Sequence, residues 1–103
     1  MLTGKCKELF EEWYISQIDV DFDEFNQVKI EILGQFYLLS LSAKWGVYQD
    51  FFDSLEVDLE VRKHQNGVEF IWIVDIRGVG VTKTRQEARK AAIEKANELI
   101  NKE

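Results

Sequence analysis

The residues best suited to chemistry lie in GVGVTKTRQEARKAA, residues 78–92, where two glycines precede a lysine and a basic segment. Glycine-rich turns that lead into a helix bind phosphate because their backbone N–H groups point at the ligand. A P-loop requires a glycine directly before its lysine, but Thr82 stands before Lys83. A dinucleotide-binding turn requires a third glycine at the position that Lys83 occupies. We therefore reject both phosphate-loop interpretations.

Residues 84–87, TRQE, form a complete capping box instead. The Thr84 hydroxyl is expected to accept the Glu87 N–H, and the Glu87 side chain to reach back to the Thr84 N–H. The box predicts the start of a helix over residues 85–101, with Arg89 and Lys90 on its solvent side. The apolar stripe of this helix is predicted to consist of Ala88, Ala91, Ala92, Ala96, Leu99 and Ile100.

Other residue types that carry catalysis are scarce. Cys6 and His64 are the only cysteine and histidine, so they cannot supply the three or four ligands of a zinc site. Cys6 is predicted to be a small, partly buried filler, and His64 to be exposed beside a hairpin turn. These positions argue against a Cys-His nucleophile pair. We therefore expect no enzyme, no catalytic residue and no cofactor.

Acidic residues occur at two places where a cation could bind. Residues 19–25, DVDFDEF, alternate acidic and apolar residues but lack the glycine and the final glutamate of a calcium loop. Asp50 and Asp53 share a helix face, but no third ligand at helical spacing completes a site. We interpret the first segment as a solvated connection and the aspartates as exposed charge, so no metal site is expected.

The composition indicates one folded domain over residues 1–103. Of the 103 residues 46% are hydrophobic and none is proline, which argues against a disordered tract or a linker. No apolar run has the length of a signal peptide or a membrane span, and a single cysteine is compatible with a reducing compartment. The expected location is the cytoplasm, without membrane contact.

Charge is distributed unevenly along the chain, whose net charge is −6. Residues 1–60 carry four basic and thirteen acidic side chains, whereas residues 61–103 carry nine basic and six acidic ones. This asymmetry is compatible with self-complementary packing or with two differently charged faces. The acidic total argues against a general nucleic-acid binder, because such domains usually have a basic excess.

Two aromatic-rich helices are predicted in the first half of the chain. One covers residues 3–17, and the other runs from an N-cap at Ser40 or Ser42 to residue 54. Residues 26–33, NQVKIEIL, fit a strand by alternation and a helix by spacing equally well, so both assignments stay open. The stripes of the two helices contain Leu9, Phe10, Trp13, Tyr14 and Ile18, and Trp45, Tyr48, Phe52 and Leu55.

The clearest structural signal is a hairpin around Asn66-Gly67, a dipeptide typical of a two-residue type I′ turn. Such a turn fixes the register of the two strands. The predicted pairs on one face are apolar on both strands: Val61 with Trp72, Leu59 with Val74, and Val57 with Ile76.

The opposite face of this hairpin carries Ile71 and Ile73, which are large apolar groups on a nominally polar side. The same register sets Asp58 opposite Asp75, a like-charge pair that destabilises the strands unless a cation reaches it. We expect this face to be partly covered by residues 26–33, by an N-terminal helix or by a partner chain. Ile71 and Ile73 are therefore the candidate partner surface.

The order of hairpin, glycine-containing turn and helix start at residues 78–100 resembles the C-terminal part of double-stranded RNA-binding domains. The matching residues are Gly80, Thr84, Arg85, Ala88, Arg89 and Ala92. In that family a serine-lysine-lysine cluster opens a helix whose N-terminus sits on phosphates, but Gln86 replaces one lysine here and the family's histidine-bearing loop has no counterpart. The resemblance implies nucleic-acid contact through Lys83, Arg85, Arg89 and Lys90.

A second resemblance covers residues 43–61 and 84–100. It is carried by Trp45-Gly46-Val47, Phe51-Phe52-Asp53-Ser54 and Thr84-Arg85-Gln86-Glu87-Ala88. These segments resemble small uncharacterised proteins encoded by phages and mobile elements of Bacteroidetes-type bacteria. The resemblance implies an accessory role in such an element and supplies no catalytic residue.

Together these patterns predict an α+β domain, in which an antiparallel β-hairpin or a three-stranded sheet packs against the C-terminal helix and two aromatic-rich N-terminal helices. The first expectation is a small non-enzymatic interaction or accessory protein, whose partner is an unidentified protein or a second copy. One alternative is binding of double-stranded RNA or DNA through the basic start of the last helix. The other is an acidic decoy that occupies a DNA-binding protein.

Overall fold

Three helices, three strands and a fourth helix follow one another in one α+β domain over residues 1–18 and 25–103, the parts of the chain that the computed structural model describes. The helices in these parts are α1 (Gly4–Ser16), α2 (Phe25–Tyr37), α3 (Leu41–Ser54) and α4 (Arg85–Asn101). The strands β1 (Leu59–Lys63), β2 (Phe70–Val74) and β3 (Gly78–Thr82) form an antiparallel sheet in the order β1-β2-β3. The fold class is the predicted one, whereas the acidic connection predicted at residues 19–25 falls almost entirely outside the described residues.

Side-chain caps set the starts of α3 and α4. The Ser40 hydroxyl accepts the Ala43 N–H at 3.2 Å, and the Thr84 hydroxyl accepts the Glu87 N–H at 3.1 Å. The second half of the predicted capping box is wrong, because the Glu87 carboxylate accepts a hydrogen bond from the Thr84 hydroxyl at 3.0 Å. A hydroxyl has one proton and two lone pairs, so Thr84 accepts and donates at the same time.

Residues 26–33 belong to α2, which decides between the two open assignments in favour of a helix. Leu33 and Phe36 are buried at helical spacing, with Ile32 half-buried beside them. A strand would place Ile30 on the same side as Ile32, but Ile30 is 67% exposed.

An aromatic core joins α1, α2 and α3, and the fully buried Phe10 lies at its centre. Ring pairs at 4.5 to 7 Å add about 0.5–1.5 kcal/mol each beyond the buried area. The rings with centroids 5.1 to 6.4 Å from that of Phe10 are Trp13, Tyr14, Phe36, Tyr37, Tyr48 and Phe51. The predicted helical stripes of α1 and α3, apart from Ile18, thus contribute to one core.

Helix α4 packs on all three strands and covers the side of the sheet that we call the inner face. Small alanines bring the helix close to the strands, and Ile93 fills the space between them. The buried residues of α4 are Ala88, Ala92, Ile93, Ala96 and Ile100. The inner-face residues in contact with the core are Leu59, Val61, Trp72 and Val74.

The predicted hairpin register is confirmed for Leu59 with Val74 and for Val61 with Trp72. It fails for Val57 with Ile76, because the chain turns into β3 directly after β2. Ile76 lies in that turn and is fully exposed, whereas Val57 is buried in the core.

The turn between β1 and β2 is wider than the predicted type I′ turn. Gly67 has a positive φ of 74°, but Asn66 does not. The His64 carbonyl accepts the Gly67 N–H at 2.9 Å, and the His64 N–H donates to the Glu69 carbonyl at 2.8 Å. The Asn66 side-chain oxygen accepts the N–H groups of Val68 and Glu69, which stabilises the wider loop without changing the register.

Residues 78–82, interpreted from the sequence as a glycine-containing exit from a strand, form β3 itself. A Cβ on Gly80 would lie 2.5 Å from Nε1 of Trp72, so the indole ring rests on the glycine backbone. A Cβ on Gly78 would lie 2.8 Å from Cγ of Lys95. The glycines therefore make room on the inner face for a large side chain of β2 and for α4.

Amide side chains of α4 hold the start of α1. The Thr3 N–H donates to Asn97 Oδ1 at 2.9 Å, and the Cys6 N–H donates to Asn101 Oδ1 at 2.8 Å. Asn101 Nδ2 donates in turn to the Thr3 carbonyl at 3.0 Å. The first N–H groups of a helix need partners from outside it, and here a distant helix supplies them.

Candidate functional site

The face of the sheet away from α4, which we call the outer face, is an exposed apolar surface. Ile71 pairs with Val81 and Ile73 pairs with Val79, so four branched side chains lie in two adjacent rows. Val79 is 69% exposed and Val81 is 49% exposed, while Ile71 and Ile73 are half-buried. The predicted position of the two isoleucines is confirmed, and β3 extends their surface by two valines.

The expectation that residues 26–33 or an N-terminal helix covers this face is wrong. Helix α1 packs against α2, α3 and α4, and α2 contacts α1 and, through Phe36 and Tyr48, α3. The aromatic side chains of these helices belong to the same core as the inner-face residues Leu59 and Val74, on the opposite side of the sheet from the outer face. No element among the described residues covers the outer face.

Charged residues of β1 and of the β2–β3 turn border the outer face. Glu60 and Arg62, beside Ile73 and Ile71, form an exposed ion pair at 3.5 Å. The backbones of Asp58 and Asp75 are opposite each other, as predicted, since the Asp75 N–H donates to the Asp58 carbonyl at 2.8 Å. The cation that such a pair requires is Arg77, whose Nη2 lies 3.3 Å from the Asp75 carboxylate.

The direction of the β2 backbone groups leaves β3 with a free edge. The hydrogen bonds from His64 N–H to Glu69 and from Asp75 N–H to Asp58 show that residues 69 and 75, and by alternation 71 and 73, face β1. Residues 70, 72 and 74 therefore face β3, and Gly78, Gly80 and Thr82 face back. The N–H and C=O groups of Val79 and Val81 point away from β2, where the sheet has no further strand among the described residues.

The sequence of β3 gives this edge no protection. Charged residues and proline keep edge strands from pairing with other chains. Residues 78–82 contain neither. The N–H groups of Gly78 and Gly80 are directed into the sheet, which agrees with the rejection of a phosphate loop at this position.

The start of α4 is a positive region at the end of the sheet. Lys83, Arg85 and Lys90 are exposed there, as the sequence predicts. The Arg85 guanidinium lies 4.9 Å from the centre of the Phe70 ring, a cation–π distance that orients it over the end of β2. Unpaired N–H groups of the first helical turn add to the positive potential.

The solvent-side prediction is wrong for Arg89. This side chain is half-buried, and its Nη1 donates to Ser42 Oγ at 3.2 Å. Its guanidinium also lies 5.8 Å from the Trp45 ring, and its Nε is buried without a hydrogen-bond partner in the described part of the chain. The cause is the packing of α3 on α4, where Ser42 also accepts a hydrogen bond from Gln86. Arg89 thus joins two helices and is not an open contact residue.

Cys6 and His64 occupy unrelated environments. Cys6 is fully buried, and burial raises the pKa of its thiol to about 12, so it is not a thiolate at neutral pH. His64 lies in the β1–β2 loop, where its Nδ1 accepts the Asn66 N–H at 3.1 Å. Within residues 1–18 and 25–103, no three His, Cys, Asp or Glu side chains gather in a way that could hold a metal ion.

Sequence reasoning missed Val79 and Val81, and it considered Ser42 only as a helix cap. The two valines alternate with glycines in GVGVT, a strand period that the glycine turn interpretation concealed. No sequence signal connects Ser42 with Arg89, because the two residues meet only when α3 packs on α4.

Comparisons with protein-family models, curated proteins and solved structures found no match to this chain. No helix in the described ranges combines the length and the apolar character needed to cross a membrane. A function can therefore be inferred only from the surfaces of this chain.

Proposed function

We propose that this chain is a small non-enzymatic interaction or accessory protein that binds a second copy of itself through the free edge of β3, which borders the outer face. The supporting observation is the contiguous surface of Ile71, Ile73, Val79 and Val81, in which Val79 is 69% exposed. Contiguous exposed apolar surface of this kind marks interaction sites, because contact with water is unfavourable for it.

A second copy fits this edge because β3 is self-complementary. Antiparallel pairing about Gly80 sets Val79 of one copy opposite Val81 of the other. Their free N–H and C=O groups then exchange hydrogen bonds, and their branched side chains become cross-strand neighbours. The arrangement uses the same patch on both copies, so it closes into a dimer.

The dimer is expected to be weak. No charge lies within residues 78–82, so like charges do not meet inside the strand pair. Two five-residue edges bury less than the roughly 1,200 Å² of a stable standard interface. We therefore expect a dissociation constant on the order of micromolar or weaker.

Sedimentation equilibrium over a concentration series tests this proposal. We expect the average mass of the wild type to rise towards that of a dimer. Val79→Lys puts a charge on the edge strand and should keep the protein monomeric. Val68→Lys is the matched control, because Val68 is 74% exposed in the β1–β2 loop, and it should dimerise as the wild type does. A wild-type chain that stays monomeric at millimolar concentration would contradict the proposal.

A second candidate function, binding of double-stranded RNA or DNA, is supported by the exposed cations at the start of α4. Lys83, Arg85 and Lys90 remain open to solvent, and Arg85 presents its guanidinium beside Phe70. Three cations are few for duplex binding, and Arg89 is engaged by Ser42. This candidate therefore ranks below the interaction protein.

Titration of duplex RNA and duplex DNA at two salt concentrations tests the second candidate. Binding through these cations should weaken as salt rises, because counterions are released from the phosphates. Lys83→Gln with Arg85→Gln should weaken binding, whereas Lys102→Gln, at the far end of α4, should not. Absence of salt-dependent binding would remove this function.

A further inference from the structure

A cavity of about 280 Å³ lies where the starts of α1 and α3 meet the end of α2. Lys7 is in the first turn of α1, Lys44 is in the first turn of α3, and Tyr37 is the last residue of α2. Tyr48, one turn after Lys44, also contributes to its wall. The lining residues are Met1, Leu2, Lys7, Tyr37, Lys44 and Tyr48.

Tyr48 lines this cavity and has a hydroxyl that is not used in the described part of the chain. The residue is only 1% exposed, yet its hydroxyl makes no hydrogen bond with a described residue. The neighbouring Tyr37 differs, since its hydroxyl donates to the Glu11 carboxylate at 2.9 Å. The Tyr48 hydroxyl is not one of the fully buried atoms without a partner, so it keeps some contact with solvent and is available to donate a hydrogen bond to a ligand.

The charged side chains that line the cavity, among the described residues, are those of Lys7 and Lys44. Lys7 and Lys44 form no ion pair with a described residue. No carboxylate of the described residues lines the cavity, although that of Glu11 accepts a hydrogen bond from the lining residue Tyr37 and the chain has nineteen acidic side chains against thirteen basic ones. A concave site with two unpaired ammonium groups in an acidic protein selects an anion.

We propose that this cavity binds a small phosphate group, with Lys7 and Lys44 neutralising its charge and the Tyr48 hydroxyl donating a hydrogen bond to one of its oxygens. Two lysines match the charge of a phosphate monoester near neutral pH, which is about −1.5 to −2. Lysine binds phosphate as a mobile point charge. The site is independent of the outer face, because none of its lining residues belongs to the sheet.

The chemistry of Tyr48 suits this role. Burial, followed by the neighbouring Cys6 thiol, raises the pKa of its hydroxyl to about 12. The hydroxyl is therefore protonated at neutral pH and acts as a donor. The volume, at the low end of the range for ligand pockets, is sufficient for inorganic phosphate or a short phosphomonoester.

Isothermal titration at constant ionic strength, with inorganic phosphate in one arm and glycerol 3-phosphate in the other, tests the proposal. We expect saturable binding in at least one arm. Tyr48→Phe should weaken binding about tenfold or more, because a hydrogen bond to a charged group is lost. Lys44→Gln should weaken it as well, whereas Lys63→Gln, which removes an exposed charge on β1, should leave it unchanged.

Stability separates a binding role from a structural one. Tyr48→Phe keeps the ring in the aromatic core and removes only an unpaired hydroxyl, so its melting temperature without ligand should equal or exceed that of the wild type. Binding of glycerol 3-phosphate alone would assign the site to a phosphomonoester, and binding of inorganic phosphate alone would assign it to the free ion. The proposal is overturned if neither arm saturates, or if Lys63→Gln weakens binding as much as Lys44→Gln.

Discussion

The two faces of the sheet carry similar side chains in different surroundings. Val74 on the inner face is fully buried under α4, whereas Val79 on the outer face is 69% exposed. Both are β-branched residues on neighbouring strands, so residue type does not separate them. Their positions in the alternation separate them. Residues 70, 72 and 74 of β2 face α4, whereas residues 71 and 73 face away, and Val79 shares their face because it pairs with Ile73.

The sequence of β2 is typical of a strand that is buried on both faces of a sheet. FIWIV is a continuous apolar run, which is typical of strands covered on both faces, yet α4 covers only one of them. A one-sided sheet normally alternates apolar and polar residues. The difference between the faces is therefore the strongest indication that a partner belongs on the outer one.

Replacement of a valine by aspartate should lower the free energy of unfolding much more on the inner face than on the outer face, and this is the largest difference that we expect. Val74→Asp puts a charge without a partner under α4 and should reduce the free energy of unfolding by about 3–5 kcal/mol. Val79→Asp should change it by less than about 0.5 kcal/mol in the monomer. Urea unfolding followed by circular dichroism measures both, and equal losses would show that the two faces are buried alike.

A methyl group added to Gly80 should have the next largest effect. Its Cβ would lie 2.5 Å from Trp72 Nε1, so Gly80→Ala forces the indole to move and should cost about 1–3 kcal/mol. Gly34→Ala is the control, because a Cβ there has nothing within 4 Å, and it should stabilise α2 by up to about 1 kcal/mol. A shift in tryptophan emission confined to the Gly80 variant would locate the disturbance on the inner face.

Removal of the N-terminal cap of α4 should destabilise the helix that buries the inner face of the sheet. Thr84→Ala loses the bond to the Glu87 N–H and should lower the free energy of unfolding by about 1 kcal/mol. Thr84→Ser keeps the hydroxyl and should recover most of the loss. Thermal unfolding of the three proteins side by side checks this order, and it fails if serine is no better than alanine.

The outer-face ion pair should contribute least. Glu60 and Arg62 are 3.5 Å apart with side chains 47% and 61% exposed, and pairs of this kind contribute about 0.2–1 kcal/mol. A double-mutant cycle with Glu60→Ala and Arg62→Ala should give a coupling free energy near the lower end of this range. The coupling should disappear in 1 M salt, because salt screens exposed charges. A larger, salt-resistant coupling would mean that this border is shielded from solvent.

Local signals in the sequence were sufficient for the helix ends and for the hairpin register. Thr84 marks the start of α4, and the start of α3 was narrowed to a cap at Ser40 or Ser42, because a cap depends on residues within one turn. The register between β1 and β2 followed from alternation on two strands that are close in the sequence. These features are predictable because the interacting groups are near neighbours in the chain.

Features that depend on packing were missed. Strand β3 was hidden because glycine has low strand propensity, and the reason for Gly80, the indole of Trp72, lies on another strand. Arg89 looked exposed because its position on α4 is polar, but α3 brings Ser42 to it. Lys7 and Lys44 are distant in the sequence, and they line one cavity only because three helices pack together.

The amide clamp between α4 and the start of α1 also affects the order of folding on the ribosome. Thr3 and Asn97 are 94 residues apart, and synthesis at about 5–20 residues per second separates their emergence by about 5–20 s. During that interval the start of α1 is without the hydrogen bonds that Asn97 and Asn101 supply. The N–H group of Cys6 therefore gains its partner only after nearly the whole chain has been synthesised.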